Sequence, residues 1–268
     1  MSVEARLGAL APIVARKHDE ASQLRCAAAA LWARAESMPP ARGFVAALRG
    51  GTVIAEMKRR SPSGGPLRGD LDPARVARGY AAAGAAALSV LTDGPDFGGS
   101  LDDLVAARDA VAVPVLRKDF TVDPVQIAEA RVAGADAVLL IAAVLDDDML
   151  QQCLEAAERC GVDALVEVHD EVEARRAAAS GARCIGVNNR DLRTLRTDLD
   201  TFARLRAMLP ADVVAVAESG VRGADDVRRL VAEGADAVLV GETLMRSADP
   251  QAACADLVAA ARDAAVRR

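Results

Sequence analysis

Residues 134–140 read GADAVLL and residues 234–240 read GADAVLV, almost the same seven residues a hundred positions apart. Two looser copies, GAAALSV at 84–90 and GARCIGV at 181–187, place the four leading glycines at intervals of 50, 47 and 53 residues. Regular spacing of this kind fixes architecture before any single motif does. In each copy a helical stretch stops at glycine, the usual left-handed helix end, and a short apolar run follows, as in a strand buried on both faces. Four more apolar runs lack the Gly-Ala lead-in. The full set is 52–58, 86–93, 114–120, 136–143, 163–170, 184–191, 213–220 and 236–243. Helical stretches separate consecutive runs, most opening on Asp near an N-cap position and several with Pro in the first turn. Eight strands alternating with eight helices predict the α/β class and a (β/α)8 TIM barrel, in which the repeat marks every second strand.

The length, 268 residues, suits one such barrel, which typically needs about 250. Residues 1–50 precede the first strand, read as helical and close on Pro39 and Pro40; they are expected as an N-terminal extension packed on a barrel spanning 51–268. Within them LGALAPIVA resembles a signal-peptide core, but Glu4 precedes it, RKHDE follows it, and Leu7, Leu10 and Val14 share one helical face. An amphipathic helix is expected there. The longest apolar stretch, 137–145, is bounded by Asp136 and Asp146 and falls well short of the roughly 18 residues of a membrane span. A net charge of −6 argues against a nucleic-acid or anionic-membrane surface. Five cysteines without C-x-x-C spacing, and only His18 and His169, leave little to build a zinc site. The cysteines read as reduced cytoplasmic thiols.

Active sites of such barrels sit at the C-terminal ends of the strands. Glu56 and Lys58 end the first run and, two apart, point to one side. Lys118 ends the third, Glu167 falls late in the fifth, Asn188 and Arg190 end the sixth, and Glu218 with Ser219 ends the seventh. Charges in a dry barrel need partners, so a ring of opposite charges is expected. Of 33 basic residues only three are lysine, Lys17, Lys58 and Lys118, and two of these end strands. Lysine can transfer a proton where arginine cannot, which separates these two from ordinary salt-bridge partners. Phe97 and Phe120 lie just beyond the second and third runs. Gly220 and Gly241, at the ends of the last two, allow close backbone approach to a phosphate; Glu242 is a poor neighbour for an anion unless its side chain turns away and only its N–H faces the ligand.

IAEMKRRSPSGG, SVLTDGPDFGGS, VLRKDFTVDPVQI, LLIAAVLDDD, VEVHDEVE, IGVNNRDL, VAESGV and VGETLMR resemble, in order, the successive motifs of the indole-3-glycerol phosphate synthases, over about residues 50 to 250. One departure is Gly64, where that family commonly has lysine after SPS. The resemblance implies ring closure of 1-(2-carboxyphenylamino)-1-deoxyribulose 5-phosphate with loss of carbon dioxide and water, without metal or organic cofactor. It implies Lys118 as general acid and Lys58 as the second catalytic lysine. Glu167 is the expected base and Glu56 its competitor. Glu218, Asn188 and Ser219 would orient lysines and substrate, Arg190 would meet the aryl carboxylate, and Phe97 and Phe120 would wall the aryl ring. The substrate is thus a phosphorylated small molecule; a monomer is expected, with docking to other tryptophan-pathway enzymes left open.

Three rival readings share the barrel. One is a Schiff-base aldolase with Lys118 as nucleophile toward a ketose phosphate. Another is a phosphate-binding barrel without catalysis, which sits badly with the retained lysines. The third is an aminoaldose phosphate isomerase, which would want Cys or Asp at strand ends where this chain has Glu and Lys.

Overall fold

Each repeat glycine stops a helix in the computed structural model, which describes residues 8–62, 64–191 and 194–267. Gly84, Gly134, Gly181 and Gly234 have φ of 93°, 91°, 77° and 110°, a region that glycine enters without steric cost. After three of them the next amide closes the helix end by reaching back five residues, as Ala135 N–H does to Ala130 O at 2.9 Å and Ala235 N–H to Leu230 O at 3.0 Å. The aspartate of GAD has its own task. Asp136 Oδ2 accepts from Val115 N–H at 2.9 Å, and Asp236 Oδ2 accepts from Ala215 N–H at the same distance. These two repeats therefore stitch the N-terminal end of their strand to that of the preceding strand.

The strands are β1 (Thr52–Met57), β2 (Ala87–Leu91), β3 (Val115–Lys118), β4 (Ala137–Ile141), β5 (Asp163–Val168), β6 (Cys184–Asn188), β7 (Val214–Glu218) and β8 (Ala237–Val240). Each pairs in parallel with the next, and β8 pairs with β1 through Thr52 opposite Ala237, closing a barrel. The (β/α)8 expectation holds. The strands end a residue or more earlier than the apolar runs suggested, which leaves Lys58, Phe120, Arg190, Ser219 and Gly220 on the loops.

Alternation separates two apolar clusters. Val53, Ala55, Met57, Leu88 and Val90 face outward and pack under the helices. Ile54, Leu116, Leu139, Leu165, Val216 and Leu239 fill the barrel interior. The N-terminal segment joins that inner cluster at two places. Phe44 and Leu48, fully buried, belong to it through the short helix Phe44–Ala47, whose Val45 N–H donates to Asp163 at the start of β5. Leu10, Ile13 and Val14, from the helix Ala11–Arg25 and the turn before it, join it beside Phe120 and Val122. Leu7, on the expected amphipathic helix, and Glu4 before it lie outside the described residues.

Three small elements were not foreseen. A two-residue hairpin, Arg60–Ser61 with Gly65–Pro66, follows β1; a one-turn helix, Gly94–Phe97, follows β2; and Glu242–Arg246 forms a short helix after β8.

Candidate active site

The C-terminal mouth gathers every residue that the sequence singled out. Two adjoining cavities, about 130 Å³ and 830 Å³, share Glu56, Lys58, Arg190 and Ser219 on their walls. The smaller adds Phe97, Lys118, Phe120, Glu167, Asn188 and Glu218. The larger adds Gly220, Gly241 and Glu242.

Inside the smaller cavity the charges interlock. Lys58 Nζ lies 2.6 Å from Glu56 Oε1, and Ser89 Oγ donates to Glu56 Oε2 at 3.1 Å. Ser89 went unremarked in the sequence, although alternation in ALSVL turns it inward. Lys118 Nζ stands 3.2 Å from Glu167 Oε2 and 3.6 Å from Glu218 Oε2. Burial pulls the Lys118 ammonium toward neutrality, but Glu167, Glu218 and Glu56 outweigh it and hold its pKa above the usual lysine range. Desolvation alone, the effect expected to free a lysine proton, therefore loses to three carboxylates.

The carboxyls divide sharply. Burial resists ionisation of Glu167, yet Lys118 and then His169 keep its pKa below the usual carboxylate range. Glu56 is likewise depressed, burial being overcome by Lys58 and Lys118. Burial and the Glu167 charge instead push Glu218 up to about 8, against the pull of Lys118. Glu56 and Glu167 are thus held toward their ionised forms beside the two lysines, while Glu218 is held toward its protonated form.

Two glycines make room for this. A Cβ on Gly186, mid-strand in β6, would overlap Glu218 Oε1, and one on Gly241 would sit 2.5 Å from Glu56 Oε1. Gly186 carried a readable signal, a glycine interrupting a strand pattern.

Phe97 and Phe120 stand 6.1 Å apart between ring centroids at 43°, in the range of favourable tilted pairs. Together with Leu10, Leu91 and Ile141 they make this end of the site apolar.

The larger cavity carries charges of both signs, with Glu56, Asp198, Asp200 and Glu242 among its lining. Arg222, Arg229 and Arg246 join Lys58 and Arg190 on its wall. Ser219 has φ 66° and Gly220 φ 86°; the first is strained for a residue with a side chain, a condition that clusters at functional sites. A Cβ on Gly220 would also overlap the Thr197 methyl, so loop six closes directly over loop seven. Glu242 is neutralised by Arg246 at 2.9 Å and faces Arg190 at 3.7 Å. Arg246 also donates to Gly64 O at 2.8 Å, so an arginine from the loop after β8 reaches the loop after the neighbouring β1. Ser63 lies outside the described residues.

Sequence reasoning missed Lys17. It is buried, and its Nζ meets Asp119 at 2.8 Å, Glu20 at 2.9 Å and Asp93 at 3.2 Å. The scarcity of lysine pointed to it as much as to the other two.

Fold and site define a (β/α)8-barrel enzyme whose charged mouth fits a small phosphorylated substrate. Solved structures of low identity agree on the fold. Thiamine phosphate pyrophosphorylase from Pyrococcus furiosus superposes with a TM-score of 0.62 at 16% identity, over 81% of this chain and 98% of that one. The family model for indole-3-glycerol phosphate synthase matches residues 10–257. An indole-3-glycerol phosphate synthase of Mycobacterium ulcerans (strain Agy99) is 56% identical over 230 residues, 85% of each chain. One from Nocardioides sp. (strain ATCC BAA-499 / JS614) is 59% identical over 204 residues, 76% of this chain and 78% of that one. The chain belongs to the indole-3-glycerol phosphate synthase family and has the synthase activity that defines it, a carbon–carbon lyase step of tryptophan biosynthesis.

Proposed function

We propose that the ring of the substrate 1-(2-carboxyphenylamino)-1-deoxyribulose 5-phosphate binds between Phe97 and Phe120, with its phosphate at the Ser219–Gly220 and Gly241 loops. Arg190, on the wall shared by the two cavities, meets the aryl carboxylate. The aryl carbon then attacks the ketone, and Lys118 donates a proton to the developing alkoxide. An alkoxide is far more basic than an amine, so the transfer is downhill even from a firmly held ammonium. Carbon dioxide leaves, and a proton and a hydroxyl must follow it to complete the indole.

Loss of the Lys118 proton also changes Glu167. The positive charge that held its pKa down has gone, so Glu167 becomes a stronger base when a base is next required. Glu218, held toward its protonated form by burial and the Glu167 charge and 3.6 Å from Nζ, is placed to return a proton to Lys118. Lys58, held by Glu56, assists departure of the hydroxyl; this tight pairing favours Glu167 over Glu56 as the base.

The observation that carries this reading is the Lys118 ammonium between Glu167 and Glu218 at the inner end of an aryl-sized apolar cavity. A protonated lysine is a poor Schiff-base nucleophile, which weighs against the aldolase alternative. The free cysteines, four of them buried, fit a reducing cytoplasmic setting. Incubation of the purified chain with the substrate should release carbon dioxide and indole product in equal amounts, with no adduct trapped by borohydride. A borohydride-stable adduct on Lys118, or no product from folded protein, would overturn the reading.

A further inference from the structure

His169 stands two residues after Glu167, and this spacing turns both side chains to the same side of β5. Its ring is 9% exposed and does not line either cavity. Nδ1 lies 3.0 Å from Glu173 Oε2, which also accepts the backbone N–H of His169 at 2.8 Å. Nε2 faces Glu167 Oε1 at 3.2 Å, an ion-pair approach rather than an aligned hydrogen bond. A carboxylate at each ring nitrogen favours a proton on both. Glu173 is fixed in turn by the first turn of the helix Glu171–Ala179.

We propose that His169 is a positioning residue: an imidazolium, clamped from behind by Glu173, that fixes Glu167 Oε1 so that Oε2 is left to Lys118 and the substrate. The remaining groups around Glu167 are Lys118 from β3, Asn188 from β6 and Glu218 from β7, so His169 is the cation on its outer side. Burial opposes the imidazolium charge, but Glu167 and Glu173 raise its pKa to about 10. The charge matters most at the step where Lys118 has given up its proton. Glu167 then keeps one cationic neighbour, which holds it ionised and ready to take a proton.

This inference rests on Glu167 acting as the base, and two readouts separate its failure from failure of that reading. The first needs no turnover. In the native chain the His169 ring signal in a proton NMR titration, assigned by its absence in His169→Gln, should stay in the protonated position from pH 5 to 8; titration near 6.5 would overturn the proposal whether or not indole forms. The second is the pH profile of kcat. With His169→Gln, Glu167 loses one cation, so the acid limb should move up by about one pH unit, a tenfold change, while KM stays within about twofold. Glu173→Gln, which keeps His169 but weakens its clamp, should move the limb in the same direction by less. An unmoved acid limb in both variants, or a fall in KM-linked binding without a limb shift, would mean that His169 merely packs.

Discussion

Lys118 and Glu218 are neighbours that hold their protons for opposite reasons, burial being overcome at the first and decisive at the second. Lys118, half-buried among glutamates, keeps its proton against desolvation, while buried Glu218 keeps its own because of burial and the Glu167 charge. The placement of these groups depends on glycine as much as on the acids themselves. Gly186→Ala puts a methyl where Glu218 Oε1 now lies, with no backbone objection, since its φ is unexceptional. The expected outcome is a fall of about 100-fold in kcat with the melting temperature changed little, because the carboxyl must move by an ångström or so relative to Lys118. Activity within threefold of native would show that Glu218 has slack. At this scale the sequence was a good guide to charged residues and a poor one to their supports. Lys58, Lys118, Glu167 and Glu218 were visible because a charge ending an apolar strand is conspicuous. Ser89, Gly186 and His169 act through a neighbour in space, and pair distances between strands are absent from a linear reading.

The helix Ala11–Arg25 ties the extension to the barrel mouth through adjacent cations. Arg16 meets Asp93 at 2.9 Å and Asp96 at 2.6 Å, while Lys17 meets Asp93 and Asp119. Asp96 is on the one-turn helix that ends at Phe97, and Asp119 lies between Lys118 and Phe120. The extension thus holds the loops that carry the apolar wall. Burial opposes the Lys17 charge, but Asp119, Glu20 and Asp93 outweigh it. Lys17→Met leaves two buried aspartates short of a cation, and should cost about 3 kcal/mol in urea unfolding, at the low end for a broken buried pair because Arg16 and Arg117 remain. A loss below about 1 kcal/mol would mean that those arginines suffice. Apolar periodicity and the glycine stops placed the barrel helices well. The one-turn helices after β2 and β8 went unseen because four or five residues are too few to show a period of 3.6.

For the molecule as a whole, the half-barrel repeat records a packing rule. Gly-Ala-Asp ends a helix, starts a strand and ties that strand to its predecessor, at Asp136 and again at Asp236. The strand–helix alternation was therefore legible from seven residues, but the aspartate's stitch needed coordinates. Two groups at the mouth also set how stability depends on pH. Glu218 is raised from its ordinary 4.5 to about 8, and His169 from 6.5 to about 10. In both, the folded state binds the proton more tightly, so the stabilisation is complete at low pH and fades as pH rises, from 4.5 through 8 for Glu218 and from 6.5 through 10 for His169. Asp119, held at about 2 because Arg117 and Lys17 outweigh burial, works in the opposite sense: its contribution is lost as pH falls from 3.8 through 2. Urea midpoints should therefore decline from pH 4.5 to 10 and also below 3.8, and a midpoint rising steadily through the alkaline range would contradict these assignments.

The central claim is proton donation by Lys118 within ring closure, and the most direct measurement is indole fluorescence on adding substrate to native protein and to Lys118→Arg side by side. Arginine keeps the charge between Glu167 and Glu218 but holds its proton far more tightly. The account predicts turnover in the native chain and a loss of about 100- to 10,000-fold in the variant, with its fold intact by circular dichroism. Native-like turnover in a folded Lys118→Arg protein would contradict it.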